Sequence, residues 1–250
     1  MSTSHALSAV DARLRQLANP VRAQNLQRFF KTGPGEYGEG DVFLGLQVPV
    51  LRRLAREFEN LPMPAVQSLL NSPIHEARLL ALLLLVREYV RGDEGVKRRI
   101  YDFYLGNTSR INNWDLVDLS APSIVGDFLA TRSRAPLRRL ARSASLWERR
   151  ISIVATGRFI RDNDFDATFA IAGMLLRDPE DLIHKATGWM LREVGKRDIA
   201  ALEGFLNQHS QTMPRTMLRY AIERFPEGRR QEYLKGVSSA RAFAMNRSRR

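Results

Sequence analysis

The sequence predicts an all-α protein, an α-solenoid of stacked HEAT-like helical repeats, on three observations. Apolar residues recur three and four positions apart through segments of about 10 to 17 residues. The segments are parted by short breakers, "NLPMP", "NSP", "RGDEG", "RDND" and "RDPED", and no convincing run of alternating strand pattern lies between them. The helices also repeat. Aligning "SPIHEARLLALLLLV", "RINNWDLVDLSAP", "SLWERRISIVATGRFI" and "DLIHKATGWMLREVG" puts Ile74, Ile111, Trp147 and Ile183 in register, at spacings of 37, 36 and 36 residues. Periods of this size belong to helix pairs that bury their faces only against their neighbours, and stacking such pairs produces a concave surface.

Taken in order, the elements carry different signals. The polar start "MSTSHALSAVDAR" has no signal-peptide core. The stretch "GPGEYGEGDVFLG", residues 33 to 45, is the one long Gly-rich loop. It lacks the Lys and Ser/Thr of a phosphate-binding loop and the strand and helix of a dinucleotide site, so it reads as a connection that holds Tyr37 near something. The run "LLALLLLV", Leu79 to Val86, is far short of the roughly 20 residues that cross a bilayer. The segment from 110 to 122 reads as an apolar helix interrupted by Trp114, Asp115 and Asp118. The repeat array is expected to form a single domain over 1–237, followed by a basic tail at 238–250 whose "RAFAMNRSRR" adds four Arg.

Composition bounds the partners. The 250 residues are 44% hydrophobic, enough for a large core, and contain no cysteine, which excludes disulfides and thiolate metal sites and makes the cytoplasm the expected compartment. The net charge is +12, carried by 34 Arg against 5 Lys. Between Thr131 and Arg161 there are nine Arg (132, 134, 138, 139, 142, 149, 150, 158 and 161) and one acid, Glu148, giving +8. A solvated helix face normally mixes signs, so this stretch predicts a polyanion-binding surface, nucleic acid ahead of membrane headgroups.

Against that basic background, Asp118 stands out. Its repeat sisters are Ala81, Val154 and Met190, all small or apolar. At about 100° per residue, Trp114 and Asp118 lie roughly 40° apart on one helix face, one turn apart. Trp189 replaces the aliphatic Leu80, Val117 and Ile153 of the other repeats, close to the same stripe. Each Trp taken alone reads as core filling, but a buried carboxylate needs hydrogen bonds or a positive partner, and an exposed one would oppose a polyanion.

The segments "YGEGDVFLGLQVP", "SPIHEARLLALLLLV", "NNWDLVDLSAP", "SLWERRISIVAT", "DLIHKATGWMLREVGKRD" and "MPRTMLRYAIERFP" strongly resemble the DNA alkylation repair family of HEAT-like-repeat glycosylases, the alkylpurine DNA glycosylase D type. The resemblance runs from about Tyr37 to Pro226, with WDLVD its most specific element. It implies a helical solenoid that holds duplex DNA in a basic concave groove and excises cationic N3- and N7-alkylated purines such as 3-methyladenine and 7-methylguanine. It places a catalytic set at Trp114, Asp118, Arg150 and Trp189, with Arg149 the alternative to Arg150. It puts further lesion or backbone contacts at Tyr37, Gln47 and Arg158, and Arg149 and Arg161 join them as DNA-binding residues of the Arg cluster. Some relatives lack the catalytic set and are inactive; this chain has all four residues. The implied protein is a monomer without metal or cofactor, acting in base excision repair at the nucleoid. The family is described as leaving the lesion stacked, which suits a shallow groove with no evident base pocket.

The chemistry fits these residues independently. An alkylated purine leaves as a neutral base, so no general acid is needed, and the oxocarbenium-like sugar calls for a fixed carboxylate. Indole faces attract a cationic base or sugar, and an Arg clamps phosphate. The four His (5, 75, 184 and 209) lack metal-ligand spacing; His75 and His184, one residue past their anchors, read as structural, and Asp115 as a solvated or helix-capping carboxylate. No nucleophilic Ser or Schiff-base Lys is marked, so strand cleavage is not expected. The rival class is a non-catalytic repeat scaffold that binds nucleic acid or protein.

Overall fold

The computed structural model describes residues 3–236, and the tail expected at 238–250 lies outside them. The fold class is all-α: strand pairing among the described residues is limited to a single bridge between Val42 and Ile74. The chain divides into two compact units, residues 1–128 and 129–250. No helix of the described residues is long and apolar enough to cross a membrane.

Unit 1 runs through α1 (Thr3–Gln16), α2 (Pro20–Phe29), α3 (Val48–Glu57), α4 (Met63–Leu70), α5 (His75–Arg91), α6 (Glu94–Gly106) and α7 (Trp114–Asp118) to α8 (Asp127–Leu129) at its end. Its centre is α5, which packs on α3, α4 and α6 and is buried without a break from His75 to Leu85. A helix apolar all round belongs inside a core, which explains the "LLALLLLV" run. Unit 2 comprises α9 (Ala135–Leu140), α10 (Leu146–Val154), α11 (Gly157–Arg161), α12 (Asp166–Met174), α13 (Asp181–Arg197), α14 (Ile199–His209), α15 (Arg215–Ala221) and α16 (Glu227–Lys235). There α13 is central, packed against α10, α14 and α15. A Cβ on Gly188 would come within 2.5 Å of the Met217 carbonyl oxygen, so only glycine permits that α13–α15 crossing. Within each unit helices pack mainly on near neighbours in sequence, as a repeat array requires.

Side-chain caps set several helix starts. Asn19, Asp93 and Asp198 accept from the N–H of the third residue after each, at 2.9, 2.8 and 2.9 Å. The four repeat anchors fall at helix N-terminal ends: Ile74 caps α5, Ile111 sits just ahead of α7, and Trp147 and Ile183 lie in the first turns of α10 and α13. The stretch from 110 to 122 is less regular than its apolar pattern predicts. A 3₁₀ turn at Thr108–Arg110 is followed by extended Asn113, whose side chain caps α7 at the Trp114 N–H, 2.8 Å away. After five residues α7 gives way to a π turn at Pro122–Gly126, where Pro122 removes a helical donor.

Candidate active site

Trp114 and Asp118 are the first and last residues of α7, one turn apart. One face of the Trp114 indole is stacked on Phe30, with ring centroids 4.9 Å apart and planes within 6°. Phe29 meets the same indole edge-on at 5.9 Å and is itself 64% exposed. These rings and the half-buried Asp118 line a cavity of about 620 Å³ in unit 1, together with Arg22, Leu26, Gln47 and His75. The sequence suggested no pocket here; the Phe29–Phe30 pair at the end of α2 makes one. Gln47 therefore joins Trp114 and Asp118, whereas Tyr37 stands on the preceding loop with its hydroxyl 3.5 Å from the Phe29 carbonyl. Beneath α7, Tyr104 is fully buried and bonded to the Ser120 hydroxyl at 2.9 Å; burial, reinforced by the negative charge of Asp118, raises its pKa.

In the wall of the cavity and behind it lies a group of charges that the sequence reading did not assemble. The buried His75 ring contacts Asp41 through Nδ1 (3.0 Å) and Asp115 through Nε2 (2.8 Å), and Arg78 donates to the second Asp41 oxygen at 2.6 Å. Burial alone would lower the His75 pKa, but the bonds to Asp115 and Asp41 and the charge of Asp115 raise it to about 9, so the ring is an imidazolium at neutral pH. Burial likewise works against ionised Asp41, and His75 and Arg78 outweigh it and hold that carboxyl below its ordinary value. The next residue, Glu76, is also buried and accepts the backbone N–H groups of Leu44, Gly45 and Leu46 at 3.0, 2.7 and 3.1 Å. Gly45 has φ +85° and a Cβ there would lie 2.2 Å from the Asn19 carbonyl oxygen, so this loop closes only around glycine. His75 and Glu76 thus tie the loop that leads to Gln47 onto α5.

Asp115 differs from its expected solvated state. It is 8% exposed, because its Oδ2 faces His75; the capping part of the expectation holds, as Oδ1 accepts the Leu116 N–H at 2.9 Å. His75 is structural as expected, yet charged. A signal for it existed in "HEAR": three ionisable residues directly ahead of the apolar run "LLALLLLV" need buried partners.

Unit 2 carries the remaining predicted residues. Arg150 is 5% exposed and donates to the Leu182 carbonyl of α13 at 2.6 Å. Arg149 is held by the Asp178 carboxylate at 2.6 Å and by the Ser143 and Ala144 carbonyls. Trp189, half-buried on α13, donates its indole N–H to Glu193 at 3.1 Å. Arg158 pairs with Asp162, whereas Arg161 is exposed. Within the Arg-rich stretch Arg134 also has an acid, Asp164 at 2.5 Å, and Arg138, Arg139 and Arg142 are exposed. Arg134, Arg149 and Arg158 are therefore neutralised by acids of the same unit, one of which, Asp178, lies well beyond the stretch from which the charge was counted.

A model of the family described as DNA alkylation repair enzyme matches residues 10–225. The chain belongs to the DNA alkylation repair enzyme family. That match spans both units, and so includes α7, the α10–α13 pair and the His75 group. Among solved structures, one described as a predicted DNA alkylation repair enzyme from Enterococcus faecalis is similar with a TM-score of 0.64. It is 17% identical, and the match covers 84% of this chain and 97% of that one, a likeness of fold. No curated protein matches.

Proposed function

We propose that the protein is a monofunctional DNA glycosylase that hydrolyses the N-glycosidic bond of cationic N3- and N7-alkylated purines in duplex DNA. The observation that carries this reading is the pairing of Asp118 with Trp114 on the wall of one cavity, in a chain of net charge +12. A carboxylate there opposes phosphates and serves a developing cation.

In the proposed reaction the C1′–N bond breaks and its electron pair passes to the base, which leaves neutral. Asp118 stabilises the oxocarbenium-like sugar and orients water; oxygen bonds to C1′ and the water proton passes to the carboxylate or solvent. The outer face of Trp114, its other face fixed by Phe30, attracts the cationic base or sugar, worth about 1–2 kcal/mol where water is excluded. Trp189 supplies a second indole and Arg150 a phosphate contact, by the family resemblance. The protein acts as a monomer in base excision repair and leaves the abasic strand uncut.

The test is release of free 7-methylguanine from duplex DNA. Asp118→Asn keeps the size of the side chain and removes its charge, so excision is expected to fall roughly 10²- to 10³-fold with the fold and duplex binding retained. A parent protein that binds duplex DNA but releases no base would favour a non-catalytic scaffold, and a folded Asp118→Asn excising at the parent rate would remove the carboxylate from the mechanism.

A further inference from the structure

Four charged side chains in the cavity wall or just behind it, His75 and Asp115 in the wall and Asp41 and Arg78 behind, have no part in the reaction above. Asp41 comes from the loop after α2, His75 and Arg78 from the start of α5, and Asp115 from α7; all four are buried. Both ring nitrogens of His75 face carboxylate oxygens, at 3.0 and 2.8 Å, and only an imidazolium has a proton for each. Asn113, the residue that caps α7, donates to Asp41 at 3.2 Å, so the start of α7 is bound to the same group twice. With His75 charged, two carboxylates face two cations; with His75 neutral, one buried carboxylate is left without compensation. At five residues, α7 is too short to hold its own shape.

We infer that His75 is a positioning residue: its bridge from Asp41 to Asp115 fixes α7 so that Trp114 and Asp118 face the cavity. What α7 does there rests on the glycosylase reading; what holds it does not. The charged groups around the ring are Asp41, Asp115, Arg78 and, next on α5, Glu76, and its remaining neighbours include Phe30 and Phe43. The bridge is intact at neutral pH and opens as pH rises through about 9, where His75 gives up its proton.

The first measurement needs no activity. With Trp147 and Trp189 changed to Phe, Trp114 is the remaining tryptophan, and its emission and acrylamide quenching are followed from about pH 7 to about pH 10, a window that brackets the imidazolium titration. A transition near 9 is expected, and Asp115→Asn should move it to lower pH by removing the partner that raises the His75 pKa. A flat titration, or one that Asp115→Asn leaves in place, overturns the inference. The second measurement uses His75→Gln, with folding checked by circular dichroism. Its single-turnover excision should fall about 10- to 100-fold through misplacement of the α7 groups, while duplex affinity stays within about twofold because phosphate contacts dominate it. A folded His75→Gln that excises at the parent rate also overturns the inference. Should the variant not fold, the Trp114 titration decides alone. A parent protein without any excision defeats the glycosylase reading, and the titration still judges the bridge.

Discussion

His75 and His184 stand at the same place in their repeats, one residue past Ile74 and Ile183, each in the first turn of a 17-residue helix. Their surroundings share little. His75 is 2% exposed and joins two carboxylates, whereas the half-buried His184 bonds through Nε2 to the Asp178 backbone carbonyl at 2.6 Å. Unit 2 does have a buried carboxylate at that spot, but the Asp178 side chain is taken by Arg149. The repeat supplies a position for the imidazole, and the neighbouring elements decide what it bonds to. In unit 1 the loop brings Asp41 and α7 brings Asp115, so the same register becomes part of a site.

The contrast is broken most directly by removing each ring. His75→Ala leaves two buried carboxylates short of a partner and is expected to cost about 3–5 kcal/mol, whereas His184→Ala removes one hydrogen bond to a carbonyl, about 1 kcal/mol. Urea midpoints of the two variants measure this, and equal effects would erase the distinction. Next in size is the pH response. The folded pKa of His75, about 9, lies above its ordinary 6.5, so its contribution is fully present below 6.5 and is lost as pH rises through 9, a change of a few kcal/mol at most. The stability gap between the parent and His75→Gln should therefore narrow as pH rises from 6.5 to about 9; a constant gap would mean the ring is not charged.

Smaller effects sharpen the comparison at the surface of unit 2. Replacing the exposed Arg138, Arg139, Arg142 and Arg161 together by Ala should flatten the salt dependence of duplex binding, by about 0.9 in log–log slope for each phosphate no longer neutralised. An unchanged slope would place the phosphate-binding groups elsewhere. Smallest is Arg158→Ala, which removes the pair with Asp162 and should change stability by about 0–1 kcal/mol in thermal melts.

The helical class, the anchors at helix starts and the shared helix of Trp114 and Asp118 were legible because each is a local pattern: periodicity of apolar residues, breakers between them, and one acid among apolar sisters. The sisters Ala81, Val154 and Met190 are indeed buried, while Asp118 is half-buried at the cavity. The bridge was not legible, since its members are separated by 34 and 40 residues and no local spacing reports an ion pair of that reach. The pocket escaped for a related reason: Phe29 ends a helix, α2, that buries none of its own residues, the buried Phe30 follows it, and the two meet Trp114 only through the position of α7. Counting charge along the chain also overstated the free Arg, because Arg149 is neutralised by Asp178, which lies beyond the counted stretch.

The 40-residue separation of His75 and Asp115 also sets an order of events during synthesis. At about 5–20 residues per second, His75 precedes Asp115 by roughly 2–8 s, with Asp41 already made. The nascent chain can close the Gly45 loop on Glu76 and seat His75 on its first carboxylate early, but the second arrives only with Trp114 and Asp118. The bridge is therefore completed only once Trp114 and Asp115 have been made, so a chain that stalls after α5 and before α7 waits with an unfinished core rather than an empty but rigid pocket.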